Sequence, residues 1–235
     1  MTFRVCVSIP PKTIDEAIRL IQKAEAQHVD LIEVRLDSLT THDQVAAIPP
    51  CSKTPLIATN RSIARHGKFS GTEIERQRIL VNAAINGFDY VDVDLGTPNQ
   101  TELISSLHEA GAKVIVSFHD FEQTPPMSKL DEVLDEEVAL GADVCKIITT
   151  ARNLKDNQVT LDFVSKASKK VKLVCFAMGE FGKHSRLMSP VFGAFLTFVS
   201  LDEKRKTAIG QLTIQEMNQA YEALELEQNE GQRKK

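Results

Sequence analysis

Eight short β-rich runs recur along this chain at nearly regular intervals, and that recurrence constrains the fold more than any single residue does. The runs are FRVCVSI (3–9), DLIEVRL (30–36), PLIATNR (55–61), DYVDVDL (89–95), KVIVSFH (113–119), DVCKIIT (143–149), VKLVCFAM (171–178) and AFLTFVS (194–200). Segments of helical pattern separate most of them. In IDEAIRLIQKAEAQ, Ile14, Ala17, Ile18 and Ile21 fall at helical spacing, and in KLDEVLDEEVAL so do Leu130, Val133, Leu134 and Val138. Three times a helical segment closes on glycine and a run starts at once, in INGFDYVDV, HEAGAKVIV and ALGADVCKI. Glycine takes the left-handed conformation that ends a helix, so these read as αβ junctions. Runs begin roughly every 22 to 34 residues, the length of one βα unit. Eight such units close into a barrel. A doubly wound open sheet fits less well, because the first turn, SIPPKT, lacks a dinucleotide glycine fingerprint and no composition break marks a second domain. The expectation is an α/β fold, a single (β/α)8 barrel of parallel strands over 1–225, with a polar, disordered tail at 226–235.

The 235 residues are enough for one such barrel, and 42% hydrophobic with 26% charged residues fits a globular protein with a sizeable core. A net charge of −4 gives no reason to expect nucleic acid or an anionic membrane as partner. An anionic ligand would have to be held by local arginines. The start, MTFRVCVSIP, lacks the apolar region of a signal peptide, and no apolar stretch approaches the roughly 20 residues of a membrane helix. Of Cys6, Cys51, Cys145 and Cys175, three lie in apolar runs and none forms a CxxC pair. They read as reduced core residues of a cytoplasmic protein. Six histidines are scattered without HxxxH or HExxH spacing, so no metal is expected. No cofactor is expected either.

In a barrel of this kind the active site lies at the C-terminal ends of the strands. There the first run carries Ser8, the second Glu33 and Arg35 on one face, the third Arg61, the fourth Asp92 and Asp94 on one face, the fifth His119, the sixth Lys146 and the seventh Met178. Singly, each has an ordinary structural reading. Lys146 reads equally as a structural lysine paired with Asp94 or Glu33. His119 reads as a satisfied strand-end histidine, Arg35 with Glu33 as an ion pair, and Asp92 and Asp94 as residues bonding a neighbouring turn. Together they converge on one mouth, which favours a site. A lysine desolvated near arginines is pushed toward the neutral amine, which can attack a ketone or aldehyde and form an imine. The protonated imine draws electrons from the adjacent carbon, and His119 is placed to take a proton there and return it to a leaving hydroxyl. Arginines would hold a substrate carboxylate.

EVRLD, TNRS, SFHDFEQTP, GADVCKI and HSRL, taken in order, resemble the type I 3-dehydroquinate dehydratases across nearly the whole chain. The resemblance implies a (β/α)8 barrel, a homodimer, and removal of water from 3-dehydroquinate to give 3-dehydroshikimate in the shikimate pathway of aromatic amino-acid biosynthesis. It implies that Lys146 is the Schiff-base lysine and His119 the proton donor and acceptor. It places Ser8, Glu33, Arg35, Arg61 and Arg186 on the substrate. Arg186 falls in a glycine-containing stretch of sequence, so it is expected in a loop that closes on the substrate carboxylate. KTAIGQ resembles a substrate-closing segment, which adds Thr207 and Gln211. Met178 and Phe198 match apolar residues around the substrate ring, and Asp94 is an accessory candidate. Two departures stand out: Arg65 or His66 falls where many relatives carry glutamate, and Ile209 where they often carry proline. The longer N-terminal hairpin of some relatives is absent, so the base of the barrel needs another cover. The rival functions are a class I aldolase, which shares an imine-forming lysine, and a non-catalytic carboxylate-binding relative.

Overall fold

A computed structural model describes residues 3–226. Its strands are β1 (Val5–Ile9), β2 (Leu31–Arg35), β3 (Leu56–Thr59), β4 (Tyr90–Asp94), β5 (Lys113–His119), β6 (Val144–Thr150), β7 (Leu173–Met178) and β8 (Thr197–Ser200). The α-helices are α1 (Ile14–Glu25), α2 (Glu73–Ile85), α3 (Gln100–Glu109), α4 (Met127–Ala139), α5 (Lys155–Ala167), α6 (Lys183–Met188) and α7 (Ile214–Ala223). The eight strands form one parallel sheet in the order β7-β6-β5-β4-β3-β2-β1-β8. At the remaining seam Phe195 N donates to Leu173 O at 2.7 Å, so the sheet is a nearly closed (β/α)8 barrel. The expected tail falls, from residue 227 onward, outside the described residues.

The helix-ending glycines behave as their sequence context requires. Gly87, Gly111 and Gly141 have φ of 98°, 88° and 82°, where a side chain would be strained. Between β2 and β3 the chain makes short 3-10 turns, Leu36–Ser38, Val45–Ala47 and Pro49–Cys51, in place of an α-helix. Pro49 and Pro50 remove two amide donors there and stop a longer helix. Helix α4 corrects one expectation. Leu130, Val133 and Leu134 face the core, but Val138 is exposed and Glu137 is fully buried in its place. The Glu137 carboxyl accepts the backbone N–H of Lys146 at 3.0 Å, which ties α4 to β6. Its burial pushes its pKa well above the ordinary carboxylate range.

Alternation along the strands sorts the two faces. Val5, Val7, Val34, Val91, Val116, Cys145 and Ile147 pack outward against the helices. Leu31, Tyr90, Val144 and Leu196, with Cys6, Ile57, Ile115 and Val174, fill the lower barrel interior. Three aspartates stitch the base. Asp30, Asp89 and Asp143 accept the backbone N–H of Val5, Leu56 and Val114, each at 2.8 Å, on the strand before their own. The base is covered by long cationic side chains, with Arg4 4.8 Å and Lys172 5.8 Å from the Phe195 ring and Lys113 5.4 Å from that of Tyr90. The cysteines are free, and Cys51 alone of the four is exposed. Among the described residues no helix is long and apolar enough to cross a membrane.

Candidate active site

The cavity at the C-terminal mouth is walled by Ser8, Glu33, Arg35, Arg61, His119, Lys146, Met178, Arg186, Phe198, Thr207 and Gln211. His66, Phe121, Ile148, Phe176 and Ala208 complete it. Of the side chains expected there, Asp94 is not in the wall. It lies one pleat above Asp92 and is turned to Arg61, whose Nε is 3.2 Å from Asp94 Oδ1. Burial pushes the Asp94 carboxyl up, with Asp92 adding to the effect and Arg61 opposing it.

Glu33, Asp92, Lys146 and Phe198, from β2, β4, β6 and β8, meet where a barrel of this type ordinarily carries a layer of branched apolar side chains. Lys146 Nζ is 2.7 Å from Asp92 Oδ2, 3.7 Å from Glu33 Oε1 and 4.3 Å from the centre of the Phe198 ring. The partner of Lys146 is therefore Asp92 rather than Asp94. Carboxylates, not arginines, are the charges in contact with the amine, which reverses the electrostatic surroundings expected from the sequence. The odd strands supply hydroxyls to the same carboxylates. Ser8 Oγ donates to Glu33 Oε2, Thr59 Oγ1 to Glu33 Oε1 at 2.9 Å, and Ser117 Oγ to Asp92 Oδ1 at 2.7 Å. Burial alone would raise the Asp92 pKa; Lys146 and Arg61 outweigh it and hold Asp92 well below the ordinary carboxylate range. It stays a carboxylate, suited to pairing with a cation on Lys146.

His119 ends β5. Its Nε2 lies 3.0 Å from Arg61 Nη1. A guanidinium can only donate, so Nε2 accepts and the neutral ring carries its proton on Nδ1. Burial first, then the charges of Arg61 and Lys146, push the His119 pKa well below the ordinary histidine value. A neutral imidazole is the base form, but the Arg61 contact must yield before Nε2 can take a proton.

The three arginines differ in what already holds them. Arg35 is forked onto Asp37, with Nε and Nη2 donating at 2.8 and 2.7 Å. Burial would lower its pKa, yet Asp37 raises it above the usual value. Arg61 is shared among Asp92, Asp94 and His119. Arg186 sits on α6, not on an open loop, and is only 2% exposed. Its Nη1 donates to Phe198 O at 3.2 Å and its guanidinium lies 4.1 Å from the Phe176 ring centre. Nε and Nη2 have no protein partner, and burial pushes its pKa down to about 9. Such a cation favours an anion brought into the cavity.

The model for type I 3-dehydroquinase matches residues 5–228. The chain belongs to the type I 3-dehydroquinase family. Members of this family are hydro-lyases acting in the shikimate pathway. A 3-dehydroquinate dehydratase of Methanosarcina barkeri is 32% identical over 223 residues, covering 90% of this chain and 92% of the relative. The crystal structure of 3-dehydroquinate dehydratase from Geobacillus kaustophilus superimposes with a TM-score of 0.88 at 22% identity, over 96% of this chain and 92% of that one, a likeness of fold. A type I 3-dehydroquinate dehydratase of Clostridium difficile, solved with covalently modified comenic acid, gives 0.86 at 26% identity over 95% and 92%.

In the turn after β3, His66 reaches the cavity wall while Arg65 does not. The segment after β8 is tied down despite Ile209. Gly179 N donates to Ile209 O at 3.1 Å, and a Cβ on Gly210 would come 2.1 Å from Gly179 O, so the loops after β7 and β8 interlock. Within the segment, Gln211 Oε1 accepts from Thr207 N at 2.7 Å and from Thr207 Oγ1 at 3.2 Å. Phe121, Ile148, Phe176 and Ala208 were not among the site residues read from the sequence, His66 entered there only as a departure from relatives, and Asp92 only as a strand-end charge without an assigned role. Asp92 had a signal there: Asp30, Asp89 and Asp143 are each followed three residues later by a charge, Glu33, Asp92 and Lys146.

Proposed function

We propose that this chain dehydrates 3-dehydroquinate to 3-dehydroshikimate through an imine on Lys146, with His119 as general acid and base. The observation that carries the reading is one cavity holding a buried amine, a neutral histidine and, in Arg186, a buried guanidinium without a carboxylate partner. The substrate carboxylate supplies Arg186 with its missing acceptors, which directs the ring ketone toward Lys146. The amine gives its extra proton to solvent and adds to the ketone carbon, and the carbinolamine hydroxyl takes a proton back and leaves as water, giving a protonated imine. Asp92, and more weakly Glu33, balance that positive charge, while Phe198 packs beside it. His119, drawn off Arg61, takes a proton from the adjacent carbon and leaves an enamine. The enamine pushes out the hydroxyl one carbon further along as His119 returns the proton, so water departs. Addition of water to the conjugated imine releases the enone product and restores Lys146.

Ser8, Glu33, Arg35, Arg61, Thr207 and Gln211 contact the substrate oxygens in this reading, and Met178 and Phe198 its ring. For Thr207 and Gln211 this requires exchanging their mutual hydrogen bonds for the ligand. Asp94 acts only through Arg61. The chain works as a homodimer, as the family resemblance implies, and as a cytoplasmic protein without a cofactor, in keeping with its reduced cysteines. The decisive experiment is borohydride treatment in the presence of 3-dehydroquinate, read by peptide mass, beside the growth of enone absorbance. An adduct on the Lys146 peptide is expected. An adduct on Lys183 or Lys206 overturns the assignment, and turnover of sugar phosphates instead of 3-dehydroquinate turns the reading to an imine-forming aldolase.

A further inference from the structure

We propose that His66 and Phe121 form a ring stack that sets the plane of His119, making His66 a positioning residue for proton transfer. The inference rests on the proposed role of His119. The Phe121 ring lies 5.7 Å from that of His119, at an interplanar angle of 16°, and His66 stacks on Phe121 at 3.9 Å and 33°. All three line the cavity.

The turn that carries His66 is bent to reach this place. His66 has φ of 60°, in the left-handed region, directly after the 3-10 turn Ile63–Arg65. The neighbouring residue is Gly67, where a Cβ would come 2.0 Å from Arg61 O, so only glycine lets the loop fold so closely onto the strand end. Gly67 N donates to Ser62 O at 2.8 Å and Phe69 N to Arg61 O at 3.1 Å, which pins the loop back. Backbone held in a sparsely populated conformation beside a cavity points to use of the side chain it presents.

The chemistry of His119 gives that side chain a task. The χ2 torsion of histidine is broad, so its rotamer does not fix the ring plane. The edge partner of the ring is Arg61, and that bond must be released for Nε2 to act as a base. A ring held by that bond alone would turn as the bond broke. A stack grips the face instead, and leaves both nitrogens free for Arg61 and then for the substrate. The orienting role that a carboxylate could fill at Nδ1 is taken here by aromatic faces.

Three variants test this: His66→Ala, Phe121→Leu and His66→Phe. The two rings border solvent, with Phe121 37% exposed, so folding is not at stake. In His66→Ala and Phe121→Leu, kcat is expected to fall about 2- to 10-fold, the equivalent of one aromatic pair, with KM unchanged. The borohydride-trapped adduct on Lys146 should not diminish, since imine formation precedes the step that slows. His66→Phe, which keeps a ring and loses the nitrogens, should recover kcat. The proposal is overturned if His66→Phe loses as much as His66→Ala, if the change falls on KM alone, or if His66→Ala keeps full kcat. Full turnover by His119→Ala would instead remove the role of His119 itself, a separate failure.

Discussion

Strands β2, β4 and β6 are each preceded by an aspartate and carry a charged residue three positions after it, and the two ends of the barrel treat these charges differently. At the base, Asp30, Asp89 and Asp143 each accept one backbone N–H of a neighbouring strand at 2.8 Å. These main-chain partners are groups that any sequence would offer, and Asp143 is also 2.9 Å from His108 Nε2. Higher up, Glu33, Asp92 and Lys146 find no such fixed partner and meet each other across the interior. Each base aspartate finds its main-chain partner locally, on one strand edge. The upper charges need residues from four or more strands, and in Arg186 the compensation within the protein is incomplete. Stability needs no such arrangement, since well-packed apolar layers do as well or better than buried ions. The upper layer is thus where function departs from the requirements of the fold.

The largest expected effect lies in that layer. Lys146→Ala should abolish the trapped adduct and almost all turnover, because no electron sink forms. An adduct at another lysine would break the contrast between the two ends, since the upper lysine would then be structural too. His119→Ala comes next. It should lower kcat by a factor of about 10²–10⁴ while the adduct on Lys146 still forms. Near-normal turnover in that variant would send the search for the base to His66 or a carboxylate such as Glu33.

Arg186→Met sharpens the comparison by separating stability from function. Removing the guanidinium should lower kcat/KM by about 10- to 150-fold, the loss of a charge-assisted hydrogen bond of about 1.5–3 kcal/mol. Because the resting protein gives this buried cation no carboxylate, the same change should leave the ligand-free Tm equal or higher. A large fall in Tm would show that Arg186 belongs with the structural charges. The pH profile gives a smaller effect. The His119 pKa is depressed in the folded protein, so the base form persists as pH falls through about 6.5, the ordinary histidine value. The acid limb of kcat/KM should therefore lie below that value. The unfolded chain takes up the proton first, so the stability contributed by this group is present above about pH 6.5 and lost below it. An acid limb at or above 6.5 would exclude His119 as the base.

Much of this could be read from the chain because local patterns carried it. The αβ glycines, the eight runs and their parity follow from short-range periodicity, and parity alone put Lys146 inside and Cys145 outside. What escaped depends on levels within the barrel. The strand stagger that brings Asp92, not Asp94, to the height of Lys146 has no signature within one strand. Glu137 took the core position expected for Val138 because a strand amide needed an acceptor, a tertiary demand that outweighs apolar spacing. His66 lies in a turn whose path depends on Gly67 meeting Arg61, a contact invisible until the strand end is placed.

The smallest expected effect lies at the base and is the control for all the others. Asp89→Ala removes the acceptor of Leu56 N at the start of β3, far along the strand from Asp92. Asp89 is exposed, so water can solvate the freed amide, and the cost should be about 1 kcal/mol rather than that of an unpaired buried group. Denaturant unfolding would read this as a lower midpoint with an unchanged slope. Turnover and KM should stay at wild-type values, because the apolar layers containing Ile57 and Tyr90 separate the base from the charges above. If Asp89→Ala instead lowered kcat at a temperature where the protein is fully folded, the base and the mouth would be coupled through β3 and β4. The register of those strands, and not only the side chains at their upper ends, would then be part of what holds Asp92 against Lys146.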